Sequence, residues 1–159
     1  MTIADFGSIG EVVSAIGVIA SLIYVGFQIR TNTEATRSAT RQALSDQDLM
    51  YVAAGIDSAV LAEATAKIEK RADVSAVEAS QLVQHQHLNT RIAENAFYQY
   101  KLGLLEDVVW ERYVAILTLQ FRHNQYARKH WSHYRDSYSR DFQEIVDQVL
   151  EHQSSTPPA

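Results

Sequence analysis

The chain has no cysteine, and its only prolines are Pro157 and Pro158 in the C-terminal tail. Without cysteine there are no disulfides, no thiolate nucleophile and no cysteine-ligated zinc or iron–sulfur centre. Glycine is nearly as scarce. Gly7, Gly10, Gly17 and Gly26 fall close to the N-terminus, leaving only Gly55 and Gly103 for the rest of the chain. A β-rich or α/β domain of 159 residues would need frequent tight turns, which draw on Gly, Pro and Asn-Gly pairs. The expected fold class is therefore all-α, with long helices and few connections. The same scarcity leaves no glycine-rich phosphate loop, and neither a serine elbow nor an HExxH zinc pattern occurs. Positive charge is also short: 14 Lys and Arg against 19 Asp and Glu give a net charge of −5. That argues against nucleic acid as a partner, because neutralising phosphates needs a basic face. No enzymatic activity and no cofactor are expected.

What the chain does have is an apolar run. Residues 12–27, VVSAIGVIASLIYVGF, contain no charge and no amide. As a helix they cover roughly 24 Å, and the flanking Phe6, Ile9 and Ile29 extend this toward the ~30 Å of a bilayer core. Tyr24 and Phe27 near one end suit an interfacial belt. The segment lacks the basic start and small-residue cleavage site of a secretory signal, since Asp5 stands where Lys or Arg would be. A transmembrane helix is the expectation, and a buried core helix of a soluble protein is the alternative. Asp5 and Glu11 precede the run, whereas Arg30, Arg37 and Arg41 follow it against Glu34. Basic flanks stay in the cytoplasm, so a single-pass inner-membrane protein is expected, with its N-terminus outside and its C-terminal domain cytoplasmic.

The expected organisation is an anchor helix at residues 1–30, a helical stalk at 31–56, a small helical bundle at 57–152 and a disordered tail at 153–159. Nothing interrupts the first helix before Gly55, which is expected to end it. Asp57 or Ser58 should cap a short helix carrying Leu61, Ala64 and Ile68, and Ser75-x-x-Glu78 reads as a capping box. The helix opened by that box should end at Gly103. The next, from Val108 to about Phe121, is apolar on nearly every side and should sit centrally. Residues 122–139 look less regular, and Ser139 should cap a last helix with a stripe of Phe142, Ile145, Val146 and Val149.

Several surfaces could carry a function. Gly10, Ser14, Gly17 and Ser21 recur at helical steps along one face of the apolar segment, the pattern through which membrane helices pack closely. Self-association, or docking on another membrane helix, is the expectation. Glu11 lies near the outer end of that face, where it could line a pore mouth; a solvated boundary carboxylate is the plainer alternative. Residues 122–140 interleave Arg122, Arg128, Lys129, Arg135 and Arg140 with Tyr126, Trp131, Tyr134 and Tyr138. On a membrane-tethered domain, Arg122, Arg128, Lys129, Trp131 and Arg135 could meet anionic headgroups. The preferred alternative is structural: aromatic anchors in the core, with basic groups pairing the acidic last helix. Among the histidines, His85 and His87 point apart on a helix. His130, His133 and Asp136 recur at steps of three and form a weak candidate for a two-histidine, one-carboxylate metal site.

Two stretches carry a resemblance. GEVVSAIGVIASLIYVGFQIRTNTEATR at residues 10–37, with its glycine–glutamate start and Q-I-R-x-N-T exit, resembles a family of small uncharacterised bacterial single-span membrane proteins. So does RIAENAFYQYKLGLL at 91–105, followed by Trp110, Trp131 and the S-x-D-F at Ser139–Phe142. The resemblance covers nearly the whole chain. It implies a bacterial origin, a membrane anchor and a helical cytoplasmic domain, and it brings no catalytic residues. Where that family is expected to break with glycine or proline, this chain has His123-Asn124-Gln125-Tyr126, which should make the connection more helical.

Three readings follow. The first is a non-enzymatic, membrane-anchored interaction or scaffold module, contacting membrane lipid and self-associating as a homo-oligomer. The second is an oligomeric pore or ion-conducting assembly with Glu11 at its mouth. The third, weaker, is a metal- or ligand-binding helical bundle.

Overall fold

Long helices with few joints are what the chain forms. The computed structural model describes the backbone of residues 3–154 and the side chains of residue 11 and residues 13–151. Most of the expected tail, residues 155–159, lies outside the described residues, as does everything about Gly10 beyond its backbone. The described residues form six α-helices and no strand: α1 (Ile3–Asp57), α2 (Ala59–Glu69), α3 (Ala76–Lys101), α4 (Asp107–His123), α5 (Gln125–Tyr134) and α6 (Arg140–Ser154). A 3-10 turn at Arg135–Ser137 joins the last two. The fold class is all-α, as composition required.

The chain divides into two compact units, Met1–Ala39 and Thr40–Ala159, and α1 contributes to both. The expected stalk, residues 31–56, straddles that division. In the first unit every described side chain from position 13 onward is exposed.

In the second unit, local chemistry sets the helix ends. Gly55 does not end α1. The helix continues through it to Asp57, because its missing side chain is used for packing: a Cβ there would lie 3.3 Å from Cε1 of His85. Ser58 caps α2, its hydroxyl accepting the Leu61 N–H at 3.2 Å. The capping box on α3 forms in full, with the Ser75 N–H donating to Glu78 at 2.7 Å and the Glu78 N–H to Ser75 at 3.3 Å. Lys67 on α2 also donates to the Glu78 carboxylate at 2.6 Å. With the Ser75 bonds this holds the carboxyl down to about 2 and ties α2 to the start of α3. Gly103, at φ +70, turns the chain after α3, a conformation that favours glycine. Within the connection at 123–126 only Asn124 is not helical. Asn124 leaves helical geometry, and its side chain accepts the Tyr126 N–H at 2.9 Å, starting α5 within the stretch expected to be irregular.

The main core collects one face from each of α1, α3, α4, α5 and α6: Leu44, Phe97, Trp110, Leu117, Phe121, Trp131, Phe142 and Val146 are all buried. Ile145 and Val149 pack at its edge, completing the expected α6 stripe. A smaller cluster of Leu61, Ala64, Leu82 and Tyr126 seats α2 on α3 and α5. Only one face of α4 is interior. Trp110, Tyr113, Leu117 and Phe121 are buried, while Val108, Ile116 and Leu119 are exposed.

Candidate functional site

Among the described residues one helix, α1, is long and apolar enough to cross a membrane. From Val13 to Ile29 its large apolar side chains are exposed, from 47 % at Val25 to 66 % at Leu22 and Phe27. Exposed apolar area of this extent is costly in water. Ser21 donates its hydroxyl to the Gly17 carbonyl at 2.9 Å, which satisfies its proton within the helix and lowers the cost of placing it in lipid. A Cβ added at Gly17 meets nothing within 4 Å. Of the residues expected to form an association face, the described Ser14, Gly17 and Ser21 are all exposed, as is Glu11. At the end of the apolar run the Gln28 amide donates to the Tyr24 hydroxyl at 2.8 Å. Arg30 then pairs with Glu34 at 3.1 Å.

The basic–aromatic segment is largely structural. Trp131 is buried, and its indole N–H donates to Asp147 on α6 at 3.1 Å. Arg135 grips both oxygens of the same carboxylate, and this pairing holds the Asp147 carboxyl below the usual range. Arg128 donates to the carbonyls of Phe121 and Arg122 at the end of α4. Tyr126 and Tyr138 are buried in the core. Of the five residues considered for headgroups, Arg122 and Lys129 are exposed without such ties among the described residues, Trp131 is buried, and Arg128 and Arg135 are tied to the bundle while still reaching solvent.

His130, His133 and Asp136 are not brought together, and no group of three His, Asp or Glu side chains among the described residues is placed to hold a metal. His133 Nδ1 lies 2.8 Å from the Lys129 carbonyl, and Asp136 is almost fully exposed beside Arg135. His130 is fully buried instead. Its Nε2 lies 2.8 Å from the Tyr138 hydroxyl, which is 3.4 Å from His87 Nδ1. One phenolic proton cannot serve both imidazoles, so Tyr138 donates to one and accepts from the other. Tyr134 stacks on His130, and the Arg91 guanidinium lies 4.3 Å over the Tyr138 ring. Burial first, then the neighbouring positive groups, pushes His130 down to about 4, so its ring is neutral at ordinary pH. Its Nδ1 has no hydrogen-bond partner among the described residues.

Sequence reading missed this cluster because His87 and His130 are 43 positions apart and meet only when α3 packs on α5. Buried polar residues at helical spacing on α3, Gln86, Asn89 and Thr90, were the available signal that this helix carries a polar seam. It also missed Asp48, which accepts the Tyr113 hydroxyl at 2.9 Å and joins α1 to α4. Comparison with protein-family models, curated proteins and solved structures finds no match to this chain.

Proposed function

We infer that the protein is a membrane-anchored helical module that self-associates through α1 and presents its helical bundle at the cytoplasmic face of a bacterial inner membrane. The supporting observation is the exposure of every large described apolar side chain from Val13 to Ile29. An uncharged apolar run of this length fits a bilayer span. Small residues on one face favour a helix partner, because in lipid close backbone approach replaces the hydrophobic drive. The resemblance to bacterial single-span proteins, and Arg30, Arg37 and Arg41 after the apolar run, support the orientation. No enzymatic role is assigned to the bundle, which serves as an interaction or scaffold domain.

Two measurements test the reading. The protein should stay in the membrane pellet through carbonate and high-salt washes, and recovery in the soluble fraction overturns the anchor. A reporter fused after Ala159 should be active only if it works in the cytoplasm. Activity of a periplasm-dependent reporter reverses the orientation.

A further inference from the structure

Within the second unit, the last turn of α1, the length of α2 and the first half of α3 line an open cleft of about 340 Å³. This is at the small end of the range for ligand pockets. Leu61, Leu82 and Ala66 supply apolar lining, and Thr65, Glu69 and His85 supply the polar atoms. His85 is held in place from two sides. Its ring stacks on Tyr51, with centroids 4.2 Å apart and 15° between planes, and its Cε1–Nε2 edge faces the bare backbone of Gly55.

Two of the three polar groups, Thr65 and Glu69, offer the cleft acceptors only. Thr65 donates its hydroxyl proton to the Leu61 carbonyl at 2.8 Å, so it offers the cleft lone pairs only. Glu69 is a carboxylate and accepts only. Burial lowers the basicity of His85, which keeps the ring neutral, with one N–H donor and one acceptor nitrogen. Neither Glu69 nor His85 has a hydrogen-bond or ion-pair partner among the described residues. No Lys or Arg lines the cleft, so its one formal charge is negative.

We propose that this cleft binds a small organic amine, with its apolar body against Leu61, Leu82 and Ala66 and its ammonium donating to Glu69, Thr65 and His85. An ammonium is the complementary head group, because it carries three donors, no acceptor and a positive charge. A carboxylate or phosphate ligand would meet the acceptors of Thr65 and the like charge of Glu69. Glu69 is exposed at the rim, so its ion pair adds only a modest factor to affinity, and most of the binding comes from the apolar part.

The test is titration of the full chain in mild detergent with 2-phenylethylammonium, followed by NMR shifts, with 2-phenylethanol and 3-phenylpropionate as matched probes. Saturable shifts at Thr65, Glu69, Leu82 and His85 are expected for the amine. Glu69→Gln should weaken the amine about fivefold and leave the alcohol unchanged. Ala62→Leu, which places bulk at an exposed cleft position on α2, should abolish binding of the amine without unfolding the bundle. The proposal is overturned if the amine gives no saturable shift up to about 20 mM, an affinity too weak to matter. Equal binding of amine and alcohol, or shifts that survive Ala62→Leu, overturn it as well.

Discussion

The indole N–H of Trp131 on α5 donates to the Asp147 carboxylate on α6 at 3.1 Å, while that carboxylate also receives the Arg135 guanidinium. One side chain thus satisfies a buried aromatic donor and a cation at the junction between two helices. Asp147→Ala should destabilise the bundle by about 1–3 kcal/mol, because it strands the indole N–H and frees Arg135. Arg135→Ala leaves the indole bond intact, and Arg135 is partly exposed, so its loss should cost under ~1 kcal/mol. Chemical denaturation of both variants in mild detergent checks the ranking. Equal costs would mean that the Trp131 bond contributes little.

His130 should make stability fall on acidification. Its folded-state value is lowered from 6.5 to about 4, so the unfolded chain takes up a proton that the folded chain refuses. Stability is therefore full above about pH 6.5 and is lost as pH falls toward 4, by up to about 3 kcal/mol. The half-buried His85 and His87 are shifted the same way and add to the slope. His130→Phe keeps an aromatic ring in the site but cannot titrate. Its denaturation midpoint should vary less than that of the parent between pH 6.5 and 5, and parallel curves for the two proteins would refute this assignment.

Gly17→Leu should separate the α1 helices of the proposed assembly, since close approach tolerates nothing much larger than a hydroxymethyl group at the contact. Leucine at Ile19, away from the centre of that face, should be nearly silent. Ser14→Ala should weaken association slightly, in keeping with ~0.6 kcal/mol for an average hydroxyl contact in a bilayer. An association assay in membranes or mild micelles decides. Like behaviour of Gly17→Leu and Ile19→Leu would place any oligomer contact on the bundle instead.

Much of the backbone architecture was legible in the residue order. Scarcity of turn formers dictated an all-α chain, and Ser58, Ser75 with Glu78, and Gly103 marked helix ends through contacts made within a few residues. Such signals are local, so they survive without knowledge of the fold. The apolar stripe of α6 and the apolar run in α1 were visible for the same reason: periodicity and length are properties of the sequence itself.

What only the tertiary structure decided is which side chains meet across large separations. Gly55 looked like a helix end, yet it lies inside α1, because the ring of His85 from α3 occupies the space a side chain would take. The sequence favoured Trp131 as a core anchor and Arg135 as a partner of the acidic last helix without saying which carboxylate they share, and packing supplied Asp147. His130 seemed spaced to share a metal with His133 and Asp136. The packing of α3 on α5 instead brought His87 to it, the turn at Arg135–Ser137 brought Tyr138, and burial then set its charge. Spacing along one helix specifies which residues share a face; it does not specify what that face will be packed against.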